Sequence, residues 1–140
     1  MVYLDTSVLV AYYCPEPLSP KAQQVVREDD APAVSPLTEV EFCSALAIRV
    51  RTGELSADAA QRVLSQFRLH LEERRYQVLP VEAKEYALAC DWIGRFSTPL
   101  RTVDALHLAT AFSGGLRLVT ADRDLARSAK HFGVAFRLVS

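Results

Sequence analysis

The sequence predicts an α/β fold of three layers, in which helices cover both faces of a short parallel sheet. Apolar segments of three to five residues alternate along the chain with longer segments that carry helix start and stop signals. Such alternation is typical of strand–helix–strand units, whose sheets are parallel and covered on both faces. Half of the 140 residues are hydrophobic, so a single domain spanning residues 1–140 can bury a core without disulfides or structural metal.

Prolines, glycines and capping residues divide the chain into these elements. Proline suits the first position of a helix and stops a helix that precedes it, whereas glycine turns the chain. In chain order we predict a strand at 2–4, helices at 7–13 and 20–29, a strand at 33–35, helices at 37–51 and 56–75, a strand at 76–79, helices at 82–96 and 102–112, a strand at 116–120, a helix at 123–132 and a strand at 135–139.

Individual residues justify the boundaries in turn. Pro15 ends the first helix, and Pro20 begins the second at its first helical position. Pro36 leads into the third helix, and Gly53 follows its end. Ser56 caps the long fourth helix, which is amphipathic with a stripe of apolar residues on one face. The stripe consists of Leu64, Phe67 and Leu71.

Composition limits the classes of protein to consider. Three cysteines without a Cys-x-x-Cys pair indicate reduced, buried thiols, and hence a cytoplasmic protein. They are Cys14, Cys43 and Cys90. No signal peptide or membrane span is expected, because Asp5 and Thr6 interrupt the N-terminus and no apolar run nears roughly 20 residues. The net charge of −1 disfavours a protein that coats nucleic acid nonspecifically. Arginine suits phosphate contacts, and 13 of the 16 basic residues are arginines, so the sequence does not single out the ones that would contact nucleic acid.

Four acidic residues stand where a strand or loop meets a helix. They are Asp5, Glu41, Asp104 and Asp122. Asp5 and Asp122 directly follow predicted strands, and ligands bind beyond the carboxyl ends of parallel strands. Carboxylates packed together repel one another, and a hard cation such as Mg²⁺ or Mn²⁺ relieves that repulsion. The pattern therefore indicates a metal-dependent hydrolase.

The first two acids also have structural explanations. Asp5 could cap the helix that follows it, although the neighbouring hydroxyls can do the same. Residues Thr38 to Glu41 match a capping box, in which the glutamate would bond back to the start of its helix. Glu39 is the rival carboxylate, but Glu41 shares a helix face with Ala45 and Ile48 that continues toward the core, so the register modestly favours Glu41.

The other two acids have their own alternatives. Asp104 lies in the first turn of a largely apolar helix if Thr102 caps it, and there the helix dipole favours negative charge. A charge entering a buried helix needs a partner, which is either Arg101 or a metal. Asp122 and Asp124 both follow a strand, and one of them will cap the last helix. Asp122 is preferred for the site because it is nearer the strand end.

The histidines and the paired arginines also have structural explanations. His107 lies one turn after Asp104 and could reach a phosphate, but a lone histidine on an apolar helix is more often a satisfied core residue. His70 and His131 lie among charged residues, which predicts surface positions. The arginine pairs at 49/51 and 74/75 end helices, where positive charge offsets the dipole.

Four segments together resemble the PIN domain family and, within it, the VapC-type toxins of prokaryotic toxin–antitoxin pairs. The segments are Leu-Asp-Thr-Ser at 4–7, Ser-Pro-Leu-Thr-Glu-Val-Glu-Phe at 35–42, Arg-Thr-Val-Asp-Ala-Leu-His-Leu-Ala-Thr-Ala at 101–111 and Leu-Val-Thr-Ala-Asp-Arg-Asp-Leu at 118–125. Each is weak by itself, but their order within one domain of this length is specific. The resemblance covers essentially the whole chain.

The resemblance implies a PIN-like fold and an endoribonuclease that depends on Mg²⁺ or Mn²⁺. It assigns the metal and the catalysis to Asp5, Glu41, Asp104 and Asp122, with the hydroxyls of Thr6 and Thr120 supporting them. Asp5 and Asp104 would bind the principal ion directly. The resemblance also implies an RNA substrate, a homodimer, and a cognate antitoxin that inserts a segment into the acidic groove, with no membrane partner.

Two other functions remain open from sequence. One is a phosphatase with an aspartyl nucleophile at Asp5, which lacks a second nearby aspartate to serve as the acid. The other is a non-catalytic PIN-like interaction module, in which the acids are mostly helix caps. Residues 9–13 and the helix at 56–75 are candidates for homodimer or antitoxin contacts, and burial in the core would explain them equally well.

Overall fold

A computed structural model describes residues 1–140 as seven helices and five strands, in the order that the sequence predicts. The elements are β1 (Val2–Leu4), α1 (Thr6–Tyr13), α2 (Ser19–Arg27), β2 (Ala33–Val34), α3 (Pro36–Arg51), α4 (Ala57–Glu72), β3 (Gln77–Val78), α5 (Ala83–Gly94), α6 (Thr102–Ser113), β4 (Arg117–Thr120), α7 (Arg123–His131) and β5 (Phe136–Leu138). None of the predicted ends is displaced by more than three residues. No helix combines the length and the apolar character needed to cross a membrane.

The five strands form one sheet in the order β3-β2-β1-β4-β5, and every pairing is parallel. β1 lies at the centre, where Tyr3 is aligned with Ala33 on one side and Leu118 on the other. Strands β2 and β3 follow on one side of β1, and β4 and β5 follow on its other side. The crevice beside β1 is therefore a topological switch point, the place where parallel sheets bind ligands.

Two hydrophobic clusters, one on each face of the sheet, confirm the three-layer prediction. Leu4, Val34 and Val119 face the cluster formed with α1 to α4. Their neighbours in the strands face the opposite cluster, formed with α5 to α7. This alternation follows from the two-residue period of a strand, which sends successive side chains to opposite faces. The predicted stripe on α4 packs against the first cluster, with Phe67 fully buried.

The start of α3 differs from the prediction. Ser35 and Thr38 form the capping box, with the Ser35 N–H donating to Thr38 Oγ1 at 3.1 Å. The capping box predicted for Thr38 and Glu41 is therefore wrong, because Thr38 already closes the helix start from its third position. The Glu41 side chain is thereby free for other contacts. The predicted core face is also wrong at Ile48, which is 49% exposed, since Phe42 and Leu46 supply the buried stripe.

Several surface predictions also need correction. His70, expected at the surface, is buried, and its Nδ1 is 2.6 Å from the Tyr13 hydroxyl. Tyr13 also bonds the Tyr76 hydroxyl at 2.7 Å, so a buried polar cluster joins α1 to the end of α4. His131 is exposed as predicted. All three cysteines are free thiols, but Cys90 is exposed rather than buried.

Candidate metal centre

Asp5 lies at the carboxyl end of β1, with its backbone held in the sheet by an N–H bond to the Val119 carbonyl of 2.9 Å. It occupies the N-cap position of α1, but its side chain caps nothing. Oδ2 instead accepts hydrogen bonds from Ser7 Oγ at 2.6 Å and Thr120 Oγ1 at 2.8 Å. Only 4% of Asp5 is exposed. A carboxylate this enclosed, with one oxygen held by two hydroxyls, is poorly placed to act as an aspartyl nucleophile.

Glu41 projects from α3 toward the same edge of the sheet. Its Oε1 accepts a hydrogen bond from Thr6 Oγ1 at 2.7 Å and lies 2.5 Å from His107 Nε2. Burial raises the pKa of Glu41, but the hydrogen bonds from His107 and Thr6 and the positive charge of His107 outweigh burial, and the net pKa is lowered. The rival Glu39 faces outward and pairs with Arg68 at 3.2 Å. The structure therefore brings Glu41, and not Glu39, toward the other acids.

His107 is fully buried on α6, as a core histidine should be, yet it also contacts the site. Its Nδ1 is 2.6 Å from the Tyr3 hydroxyl, which in turn lies 2.8 Å from Ser35 Oγ. Because an ionised carboxylate only accepts, the hydrogen on Nε2 must point at Glu41. Nδ1 faces the Tyr3 hydroxyl, and burial raises the pKa of Tyr3, which keeps that hydroxyl protonated.

Asp104 lies in the first turn of α6 and has the most perturbed carboxyl of the cluster. Burial raises its pKa from 3.8 to about 6, with further contributions from the negative charges of Asp5, Asp122 and Glu41. The predicted cap is wrong, because Thr102 is the first residue of the helix and no side chain caps it. The exposed Arg101 forms no ion pair with Asp104. Asp104 is thus a half-buried acid surrounded by acids, and the charge of His107 only partly offsets theirs.

Asp122 reaches the same edge from β4 and also caps α7. Its Oδ1 accepts from the N–H groups of Asp124 at 2.8 Å and Leu125 at 3.2 Å. Its own N–H donates to Thr120 Oγ1 at 3.0 Å, and Thr120 donates to Asp5, so one hydroxyl joins the ends of β1 and β4. Asp124, the reserve candidate, is exposed and pairs with Arg127 at 3.1 Å.

Three residues that support the acids are not predicted from the sequence. Ser7 was considered only as a possible cap, yet its Oγ donates to Asp5 and accepts from the Ala121 N–H at 2.9 Å. Tyr3 and Ser35 were treated as strand residues, whereas together they orient His107. Ser7 could have been found from its place two residues after Asp5. Nothing in the sequence separates Tyr3 from an ordinary apolar strand residue.

The arrangement could hold a metal ion. Ligand atoms of Asp5, Glu41 and His107 all lie within 4.8 Å of one another. His107 Nε2 is engaged with Glu41, so the oxygen atoms of the carboxylates are the available donors. Asp104 and Asp122 belong to the same cluster, because the charges of Asp5, Asp122 and Glu41 all raise the pKa of Asp104. A crowded set of oxygen donors with unbalanced negative charge fits a hard cation.

Comparison with known proteins agrees with the fold. The family model of the PIN domain matches residues 2–131. The chain is 33% identical over 137 residues to Ribonuclease VapC46 of Mycobacterium tuberculosis (strain ATCC 25618 / H37Rv), covering 96% of this chain and 94% of that protein. Among solved structures, PAE2754 from Pyrobaculum aerophilum has a TM-score of 0.68 at 28% identity, covering 97% of this chain and 83% of that one.

A toxin–antitoxin complex from Klebsiella pneumoniae shares the fold, with a TM-score of 0.66 at 19% identity, covering 90% of this chain and 91% of that one. The family match spans nearly the whole chain, and strands β1 to β4, the seven helices and the four acids all lie within it. The chain belongs to the PIN domain family.

Proposed function

We propose that this protein is a metal-dependent endoribonuclease that hydrolyses RNA phosphodiester bonds and acts as the toxin of a toxin–antitoxin pair. The observation that carries the proposal is Asp104, whose pKa is raised to about 6 by burial and by three neighbouring acids, which outweigh the opposing charge of His107. Similarity to a ribonuclease of the same family supports the choice of reaction. Perturbed carboxyl groups gathered at a switch point are typical of a catalytic site.

Mg²⁺ or Mn²⁺ is the proposed cofactor, held by Asp5, Glu41, Asp104 and Asp122. All four donors are carboxylates, and both ions prefer carboxylate oxygen to softer ligands such as thiolate sulfur. When bound, the cation supplies positive charge that offsets charge on the phosphoryl oxygens and makes a water molecule more acidic. Asp5 and Asp104 would bind it directly, and Glu41 and Asp122 would hold water around it.

The remaining groups orient these carboxylates. Thr120 and Ser7 both donate to Oδ2 of Asp5, which leaves Oδ1 for the cation. Thr6 and His107 keep Glu41 ionised, because their hydrogen bonds lower its pKa. A carboxylate with a lowered pKa is a weak base, so Glu41 is better suited to orienting the attacking water by accepting its hydrogen bond than to removing its proton.

RNA and an antitoxin are the proposed partners. Attack by water does not use the 2′-hydroxyl, so the preference for RNA rests on similarity to Ribonuclease VapC46. The antitoxin rests on similarity to a toxin–antitoxin complex. For the homodimer or antitoxin contact, the segment Leu9–Tyr13 is largely buried in the core and is set aside. An apolar groove of about 380 Å³ between α3 and α4, which includes Leu64, remains the candidate.

The test is cleavage of a panel of structured RNAs, including tRNA, by purified antitoxin-free protein with Mg²⁺ or Mn²⁺. We expect cleavage to disappear with EDTA, and in Asp5→Asn and Asp104→Asn. Glu41→Gln is compared with Glu39→Gln, a matched change on the same helix whose carboxylate faces Arg68 instead of the site. Cleavage that survives EDTA or Asp104→Asn would refute the metal site, and equal loss in both glutamine variants would refute the role of Glu41.

A further inference from the structure

A basic groove runs between α7 and the outer strand β5, beginning next to the acidic cluster. It has a volume of about 310 Å³ and is lined by Arg123, Ala126, Arg127, Lys130, Phe136 and Leu138. Three of these six residues are cationic and none is acidic. The chain as a whole carries a net charge of −1, so this is a local reversal of sign.

The three cations share one side of α7 because of their spacing. Arg123, Arg127 and Lys130 are four and then three residues apart, which places them on one face of a helix. Over seven residues at 1.5 Å each, the row extends about 10 Å from the N-terminal end of α7. All three side chains are exposed.

These cations are largely free to bind an anion. Arg123 and Lys130 take part in no ion pair within the protein. Arg127 pairs with Asp124 at 3.1 Å, but the two side chains are 75% and 68% exposed. An ion pair at such exposure contributes little, so a phosphate can compete for the guanidinium.

The other wall of the groove offers an apolar surface with one aromatic ring. Phe136 is aligned with Leu118, and Leu138 with Thr120. Aligned residues of neighbouring strands point to the same face, and Leu118 packs on the α5–α7 side, so Phe136 and Leu138 face α7. Phe136 is 36% exposed, which leaves part of its ring open to a planar partner.

The groove begins beside the candidate metal centre. Arg123 directly follows Asp122, and Leu138 is aligned with Thr120, whose hydroxyl bonds Asp5. A polyanion held at the carboxylates therefore meets Arg123 first and the rest of the row next. Cations beside an acidic centre also explain how a negatively charged substrate can approach four carboxylates.

We propose that this groove binds single-stranded RNA next to the scissile phosphate, with Arg123, Arg127 and Lys130 contacting phosphates and Phe136 stacking on a base. The proposal rests on the proposed ribonuclease function and names the side of the site along which the strand lies. A row of cations beside an aromatic ring is the arrangement with which proteins hold single strands without reading their sequence.

Binding is tested in Asp104→Asn protein, so that cleavage does not interfere. The probe is a fluorescein-labelled RNA of mixed sequence and about 12 nucleotides, followed by anisotropy between 50 mM and 1 M salt. The logarithm of the affinity falls with the logarithm of the salt concentration, and each phosphate contact adds about 0.7 to the magnitude of that slope. Arg127→Ala and Lys130→Ala should each lower the slope by about 0.7 and weaken binding about fivefold at 0.1 M salt.

Arg62→Ala is the matched control, because Arg62 is an exposed, unpaired arginine on α4. It should leave both slope and affinity unchanged. Phe136→Leu should weaken binding about fivefold without changing the slope, because it removes stacking but no charge.

The proposal would be overturned if Arg127→Ala and Lys130→Ala affect RNA binding no more than Arg62→Ala does. An acidic protein segment would then be the alternative ligand of the groove. Absence of any RNA binding would overturn it as well. Loss of binding in the groove variants, combined with wild-type protein that cleaves no RNA, would support the groove and refute the proposed ribonuclease instead.

Discussion

Replacing Asp104 with asparagine should stabilise the metal-free protein while removing its proposed activity. The ionised carboxyl is opposed by burial and by the charges of Asp5, Asp122 and Glu41. Asparagine has nearly the same shape and carries no charge, so it removes the repulsion without opening a cavity. Sites that bind a cation commonly carry such a cost in the empty state.

The magnitude follows from the pKa of Asp104. A rise from 3.8 to about 6 is roughly two pH units, which corresponds to about 3 kcal/mol when the group is fully ionised. Part of the side chain is open to solvent, so we expect about 2 kcal/mol of added stability in Asp104→Asn. For a protein of this size, that raises the unfolding temperature by about 4–8 °C.

The gain must depend on pH in a defined direction. A carboxyl with a raised pKa destabilises the folded state when ionised, so the variant has its full advantage above pH 6. As the pH falls from about 6 toward 3.8, the wild-type carboxyl becomes protonated in the folded and then in the unfolded state. The difference between the two proteins should therefore shrink and vanish.

Thermal unfolding followed by circular dichroism in EDTA, at a series of pH values from 4 to 7.5, measures the effect. Asp91→Asn is the control, because Asp91 is exposed and pairs only with Arg95 on the surface of α5. It should change stability by less than about 0.5 kcal/mol. Added Mg²⁺ should raise the unfolding temperature of the wild type and not that of Asp104→Asn. An unfolding temperature that falls in Asp104→Asn at pH 7.5, or a gain at pH 4 as large as the gain at pH 7.5, would refute the reasoning.

Three further predictions test the support around the site and the core. Tyr3→Phe leaves His107 Nδ1 buried without its partner and should cost about 1–3 kcal/mol in urea unfolding; a cost below 0.5 kcal/mol would contradict the hydrogen bond at 2.6 Å. His107→Ala removes the bond that lowers the pKa of Glu41, so the acid limb of the pH–rate profile should move to higher pH; an unmoved limb contradicts this. Phe67→Ala should cost about 3–5 kcal/mol by opening a cavity, whereas Leu69→Ala, half exposed on the same helix, should cost far less; similar costs would contradict the packing.

The order and type of the elements could be predicted because the signals for them are local. Pro20 and Pro36 lie near helix starts, Gly53 follows a helix end, and apolar residues mark the strands. Asp5 and Asp122 could be expected near one another for a related reason, since parallel strands place their carboxyl ends at one edge. No contact between distant residues was needed for these inferences.

The predictions that were wrong concern residues whose surroundings depend on contacts distant in sequence. The polar residues around His70 indicate a surface position, but Tyr13, 57 residues away, provides a buried hydrogen-bond partner. Thr38 can serve as the first or the fourth residue of a capping box, and Ser35, at the end of β2, decides between them. Cys90 faces outward because the packing of α5 on α6 sets which side of that helix is buried. Local sequence carries none of this information.

The central position of β1 has a consequence for protein synthesis. During synthesis β1 can pair with β2 on one edge, but its other edge stays open until β4 has been made. Asp5 likewise lacks the Thr120 hydroxyl, and the cluster lacks its fourth carboxylate, until translation has passed Asp122. A nascent chain that stops earlier therefore has an incomplete sheet and an incomplete site. The centre of the sheet and the acidic cluster are therefore completed at the same stage of synthesis.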